Sequence, residues 1–410
     1  MDAMNTDQAA MMLFSPQGRE DPYPLYDVLR EAAAVVKSPF GPHLITRYDT
    51  ADKVLRSSAF RTPRGYRDAN DPSGPPIFDP NGKLSLHRRH WLLFQSGDPH
   101  TRLRKLIMHV FTPRAIRALT PRIEALVDEL LAPVFERGSL EVIHDLAYPL
   151  PATVICELLG IPAADRDKNR EWTNLLAATV DPMMQTPALI AKAEEAMNQW
   201  DAYIRALLDE KRKRPGEALL DAMLAAEVDG QRLTEDEIAA NAVFLFLAGH
   251  ETTTNLIGNG VLALLRHPDQ LAKLRAEPGL IDNAIEELLR FDSPVQFAPR
   301  VPLEPIEIEG VTLPVEVVVT LMLGSANRDP RKFDRPEALD VARADVKPLS
   351  FGGGPHYCVG AALARAEGKA AIGALATRTR ELGLVTDKPA YRPMLTLRGL
   401  SELQVAVTTS

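Results

Sequence analysis

One cysteine, one histidine and four glycines crowd into ten residues toward the end of the sequence: Phe351-Gly352-Gly353-Gly354-Pro355-His356-Tyr357-Cys358-Val359-Gly360. Glycine and proline at this density cannot continue a helix or an inner strand, so the stretch is a loop with a special backbone shape. Residues 361–375 that follow are rich in Ala, Leu, Arg, Glu and Lys, which favour helix. Cys358 therefore stands where a loop feeds a helix N-terminus, and the free N–H groups and dipole there favour a thiolate. Such a sulfur serves as a nucleophile, a redox thiol or a metal ligand. A nucleophile needs a base and an orienting group, and only His356 is at hand. A redox pair needs a second cysteine close by, whereas Cys156 is far away in sequence. Zinc needs three or four clustered ligands. A haem iron needs a single thiolate, because the porphyrin supplies four nitrogens. Gly354 and Gly360 would then let backbone approach a flat macrocycle, with Phe351 packed on the sulfur side.

A second chemical stretch interrupts a helix. Thr234-Glu-Asp-Glu237 reads as a capping box, and helical periodicity runs from there to Arg266, roughly 50 Å of helix. Within it, Ala248-Gly249-His250-Glu251-Thr252-Thr253-Thr254 follows an apolar run. A mid-helix glycine costs about 1 kcal/mol against alanine, and buried polar groups cost more unless bonded. At 100° per residue, Phe244, Ala248 and Thr252 share a face, with Val243, Leu247 and Glu251 beside them. That stripe is apolar, then small, then acidic and hydroxylic, which suits a flat group lying beside proton-handling side chains. Thr253 is read as helix structure, bonding the carbonyl one turn back, and His250 falls on another face. Two further pairs have helical spacing. His100 and Arg104 follow the helix-starting Asp98-Pro99 and can converge on one anion, and Glu287 and Arg290 can form an ion pair.

Phe351-x-x-Gly354-x-His356-x-Cys358-x-Gly360, Ala248-Gly249-x-Glu251-Thr252-Thr253, Glu287-x-x-Arg290 and His100-x-x-x-Arg104, taken together in their order, resemble the cytochrome P450 family of haem-thiolate monooxygenases. The resemblance runs from about Pro22 to the C-terminus. It implies a mainly α fold with small β-sheets, a single triangular P450-like domain over 21–410 with a long central helix, and an N-terminal extension over 1–20. It implies haem b (iron protoporphyrin IX) with Cys358 as axial ligand. Phe351, Gly352 and Gly360 would shape that loop, and His100, Arg104, Arg300 and His356 would meet the propionates. Ala248 and Gly249 would leave room for O2, and Glu251 and Thr252 would be the acid–alcohol pair that brings protons inward. Glu287, Arg290 and a third arginine, Arg343 rather than Arg335, would fasten the segment carrying the cysteine loop. The activity implied is insertion of one oxygen atom of O2 into an apolar small molecule, by hydroxylation or epoxidation. Electrons would come from NAD(P)H through a separate ferredoxin and ferredoxin reductase. A peroxide-driven relative typically loses the acid–alcohol pair, which is intact here. A haem carrier or gas sensor needs no proton relay and usually has an output domain attached.

These side chains need a scaffold, and the chain supplies helices for most of it. A first helix is expected over 22–33, a small hairpin over 35–46, and another helix over 49–56. Residues 62–83 are crowded with Pro, Gly, Asp, Asn and Arg and have no period, so they form a long loop, which the resemblance places over the substrate. Residues 114–137 are amphipathic helix, 140–143 a strand, and 151–162 an apolar helix with Cys156 in its core face. Helices over 166–180 and 189–213 are joined by a Pro- and Met-containing lid. A hairpin turns at Glu309-Gly310, and 394–399 with 403–407 are expected as a terminal strand pair. Phe78, Trp91, Leu93, Val243, Phe244, Leu247, Val295, Phe297 and Leu397 are the candidate substrate contacts.

The 410 residues carry a formal charge of −8, which argues against nucleic acid as partner, and two cysteines suit a reducing cytoplasm. The first residues lack a signal pattern or an apolar span, so no membrane anchor is expected, and the protein is expected to be a monomer. Arg102, Lys105, Arg114 and Arg365 are the basic residues expected to dock a ferredoxin.

Overall fold

The computed structural model describes residues 4–67 and 75–409. The described residues form mostly helix, with four small sheets. Its longest element, Glu235–Arg266, is one unbroken helix of 32 residues. The capping box starts it: Glu237 N donates to Thr234 Oγ1 at 3.2 Å, and Thr234 N donates to Glu237 Oε2 at 2.9 Å. Two of its orphan N-terminal donors are thus satisfied within the sequence that begins it.

Contacts divide the chain into two units. The first comprises Met1–Arg61, Arg122–Leu150 and Thr252–Ser410, and the second Thr62–Pro121 and Pro151–Glu251. The boundary passes through the long helix between Glu251 and Thr252.

The first unit holds a five-stranded sheet in the order Val35–Lys37, His43–Ile45, Val319–Met322, Phe297–Pro302, Phe60–Arg61. Its single parallel pairing sets Val319 opposite His43, and the other pairings are antiparallel. Ile45, Val54, Leu55, Leu321 and Leu323 make one core beneath it. The expected extension at the N-terminus is two short helices, Thr6–Met12 and Pro16–Glu20. Ala9, Ala10 and Leu13 bury against Leu25, Tyr26 and Leu29, so apolar burial joins this segment to the same unit. Gln404–Thr409 pairs with Thr379–Leu384 and Ser139–Glu141. The expected partner at 394–399 makes only an isolated bridge, Val295 to Leu397, because Pro393 and Gly399 interrupt it.

The second unit is mainly helical, with one short hairpin at Glu227–Val228 and Gln231–Arg232. Arg166–Ala178 and Pro187–Lys213 form a pair, joined by a turn in which Asp181 accepts from Met183 N at 2.9 Å. Thr186 caps the second of these by accepting from Leu189 N at 3.2 Å. The expected loop at 62–83 ends at the short helix Lys83–Arg88, and its residues 68–74 lie outside the described ones. Cys156 is buried in Pro149–Leu159, and that burial pushes its thiol up to about 12, as fits core packing.

Candidate functional site

The cysteine loop is built by its own backbone. Cys358 N donates to Phe351 O at 2.9 Å, Gly352 N to Leu349 O at 2.8 Å, and Tyr357 N to Gly354 O at 3.1 Å. Gly352 and Gly354 have φ of +69° and +60°, the left-handed region that glycine enters without strain. A Cβ on Gly354 would stand 2.5 Å from Leu55 O, so this glycine fits the loop against the first unit's own backbone. Besides the macrocycle that the sequence suggests, residues 55 and 56 thus demand a glycine here. At Gly360 a Cβ would meet Cys358 Sγ at 3.9 Å, an ordinary contact. Helix Ala361–Arg378 begins directly after Gly360, and Cys358 is exposed beside its N-terminus. Phe351 is held between the Arg365 guanidinium, 4.4 Å from its ring centre, and the Tyr357 ring at 6.4 Å.

The long helix has one open line. From Ile238 to Leu264 every residue is buried except Phe244, Ala248, Gly249 and Thr252. These fall at i, i+4, i+5 and i+8, which is a single stripe of helix surface. Val243 and Leu247, expected among the substrate contacts, are buried beside it. Glu251 is buried next to the stripe. His250 is fully buried, its Nδ1 2.8 Å from Phe246 O and its Nε2 4.0 Å from Glu251 Oε2. Gly249 serves a neighbour: a Cβ there would come within 3.3 Å of Ile155. Thr253 does more than support its helix. It lies beside Glu367, a buried carboxyl on Ala361–Arg378 whose oxygens have no hydrogen-bond partner among the described residues and which burial pushes well above the usual carboxylate range. Glu367 escaped the sequence reading, although an acid on the face of a helix otherwise lined with Ala and Leu was a visible signal.

The ion-pair group is fully formed within the first unit. Glu287 and Arg290 are completely buried and joined through Nε at 2.7 Å and Nη2 at 2.8 Å. Arg343 is the third member, its Nε 3.1 Å from both Glu287 oxygens, whereas Arg335 is exposed and pairs with Asp334 at 3.5 Å. Arg290 also donates to the carbonyls of Asn327, Pro336 and Ala338, so it ties the irregular meander before the cysteine loop.

The residues present suit a haem. Arg300 is 7% exposed, and its hydrogen bond among the described residues goes to the carbonyl of its neighbour Pro299 at 2.9 Å. Burial alone pushes its pKa down to about 10, so an anionic group beside it would relieve a real cost. His100 on Gly97–Val110 is pushed down to about 4 by burial and then by Arg104, and is neutral at physiological pH. No group of three or more His, Cys, Asp or Glu able to hold a metal ion occurs among the described residues. A cysteine sulfur together with a buried guanidinium that has no acid beside it suits a porphyrin bearing carboxylates.

Other expected contacts sort plainly. In the second unit Phe78 and Trp91 are buried, Leu93 is half-buried, and the Trp91 and Phe244 rings lie 5.5 Å apart. In the first unit, half-buried Val295 bridges Leu397. Phe297 was expected among the substrate contacts but lies in the core, edge-on to Tyr26 at 6.1 Å. Strand alternation turns it away from Ala298 and toward the N-terminal helices. Of the basic residues expected to dock a partner, three already have acids. Arg102 pairs with Glu237 at 2.7 Å, Lys105 with Asp229, and Arg365 with Glu286. Arg114 is exposed.

Comparison with known proteins matches residues 66–378 to the family described as Cytochrome P450. The chain is 41% identical to Vitamin D(3) 25-hydroxylase of Pseudonocardia autotrophica over 402 residues, covering 96% of each chain. It is 39% identical to Cytochrome P450 monooxygenase PikC of Streptomyces venezuelae, covering 94% of this chain and 91% of that one. The crystal structure of P450BioI in complex with hexadec-9Z-enoic acid ligated acyl carrier protein superposes with a TM-score of 0.90 at 36% identity, covering 96% of this chain and 99% of that one.

Proposed function

This chain belongs to the cytochrome P450 family, and on that premise we propose which of its residues carry the family's chemistry. The protein is a haem-dependent monooxygenase acting on apolar small molecules. Haem ligated by a cysteinate supplies O2 activation and oxygen-atom transfer, using electrons from NAD(P)H. Cys358 is the thiolate ligand, presented by the hydrogen-bonded loop at 351–358 and favoured as an anion by the helix start after it. Arg300, His356, His100 and Arg104 are assigned to the propionates, and the burial of Arg300 without an acid is what supports that role for it.

The observation that carries the assignment of the acid–alcohol pair is the open stripe. Thr252 is half-buried at its end, so its hydroxyl can donate to a group lying along Ala248 and Gly249. Glu251 is the adjacent residue in sequence and is buried, placed to resupply the proton that Thr252 gives up. A separate ferredoxin with its reductase, in the cytoplasm, delivers the electrons. With three of the four expected basic residues already paired, Arg114 is the one we retain for docking it.

Removing the hydroxyl tests the assignment. With surrogate ferredoxin and reductase, Thr252→Ala is expected to keep consuming NAD(P)H while product falls by at least about tenfold and hydrogen peroxide accumulates, a loss within the usual contribution of positioned proton transfer. Unchanged product yield would remove Thr252 from proton delivery.

A further inference from the structure

A guanidinium withdrawn from water ordinarily brings a carboxylate with it, because an unpaired buried charge is costly. Fully buried Arg290 shows the pattern, and half-buried Arg365 shows the same grip. Arg290 grips Glu287 through Nε and Nη2, and Arg365 grips Glu286 through the same two nitrogens. These nitrogens form one edge of the planar group, with parallel N–H bonds that match the two oxygens of a carboxylate.

Arg88, at the end of Lys83–Arg88, is 2% exposed and offers that edge with nothing on it. Its Nη1 donates to Thr179 Oγ1 at 2.9 Å and to Thr179 O at 3.4 Å. Its Nε is buried with no hydrogen-bond partner, and Nη2 makes no hydrogen bond among the described residues. Three aromatic rings surround the cation, with their centres 4.6 Å (Phe78), 5.3 Å (Trp91) and 5.0 Å (Phe94) from its central carbon. The acid that serves this short helix is already shared: Asp201 takes Lys83, His87 and Arg205, each at 2.8 Å. Burial alone acts on Arg88, pulling its pKa down to about 9, and no carboxylate opposes that pull.

We infer that Arg88 is the receptor for a carboxylate at one end of an otherwise apolar substrate, gripped by Nε and Nη2 within the cage of Phe78, Trp91 and Phe94. The inference rests on the monooxygenase reading above and names the substrate class it leaves open. The geometry also gives a direction. From Arg88 the rings step to Trp91 at 5.3 Å and on to Phe244 at 5.5 Å, and Ala248 follows about one helical turn further. An apolar chain anchored at Arg88 would therefore extend along aromatic surface toward the open stripe. Neutral rings lower the cost of holding the guanidinium when no ligand is bound, through cation–π attraction, and leave its hydrogen-bonding edge free for one.

The test uses the haem-loaded protein and three probe series: decanoic, dodecanoic and tetradecanoic acids, their methyl esters and the corresponding alcohols. Binding is followed by the Soret shift and by calorimetry at neutral pH. At least one acid is expected to bind at least about tenfold more tightly than its own ester and alcohol, the discrimination a charge-assisted fork affords. Arg88→Leu should bring the acid to the affinity of its ester while moving the ester less than about twofold. Acids that bind no better than esters in the wild-type protein, acids that fail to bind, or a preference that survives Arg88→Leu would each overturn the inference. The wild-type comparison decides alone if the variant does not fold. The reduced carbon-monoxide band of thiolate ligation is read first. Its loss in the wild type would overturn the haem reading and this inference together, whereas its presence with indifferent acids overturns this inference only.

Discussion

Arg290 and Arg88 are both arginines out of reach of water, and they could hardly be treated more differently. Arg290 is fully buried, with a carboxylate on its side edge and three backbone carbonyls on its remaining N–H groups. Arg88 is almost as buried, yet it has one threonine, three rings and a bare side edge. A saturated charge can only hold a fold together. An unsaturated one is a cost that persists in the folded protein, and its use has to be sought in something that binds. Arg300 belongs with Arg88 in this respect, whereas Glu367 shows a third solution, in which burial neutralises the group.

The largest effect should come from unsaturating Arg290. Glu287→Ala strands two cations, Arg290 and Arg343, and is expected to cost about 3–5 kcal/mol, the usual result of breaking a buried pair from one side. Urea unfolding of the haem-loaded protein measures it, and a loss under about 1 kcal/mol would erase the contrast with Arg88.

Next comes Glu367, whose folded pKa lies above its unfolded value. Its stabilising share is complete below pH ~4.5 and drains away as pH rises, because the unfolded chain gives up its proton first. Glu367→Gln should therefore gain on the wild type by about 1.4 kcal/mol per pH unit above that point, until the folded pKa is passed. Thermal melts across pH would show the two curves diverging upward from the acid side, and parallel curves would mean that Glu367 is charged in the folded protein. The smallest effect is on the stability of Arg88→Leu. Loss of cation–π attraction opposes relief of an unpaired buried charge, so the unfolding free energy should move by about 1 kcal/mol or less in either direction. A loss on the scale of Glu287→Ala would make Arg88 a structural arginine after all.

What could be read from the sequence follows the same division. The capping box at Thr234, the loop at Cys358, the stripe of Phe244, Ala248 and Thr252, and the choice of Arg343 over Arg335 were all accessible. Each depends on spacing along one element or on motifs kept in order. The fate of side chains across distant segments was not accessible. Nothing local says that Arg102 meets Glu237, that Phe297 turns to Tyr26, or that Thr253 lies beside Glu367. Gly354 and Gly249 show the limit most clearly. Gly354 was expected to admit a macrocycle and Gly249 to leave room for O2, and a Cβ at either would also meet the chain itself, at Leu55 and Ile155. Composition reports that space is needed but not what fills it.

The distribution of indole rings has an experimental consequence. Trp91, Trp172 and Trp200 are the only tryptophans in the sequence, and all three lie in the unit made of Thr62–Pro121 and Pro151–Glu251. Intrinsic emission excited in the indole band is therefore a spectroscopic window on that unit alone. If the unit bearing Cys358 loosened first on heating, fluorescence would stay silent while circular dichroism fell, and the lag between the two signals would report how far the chain melts as one.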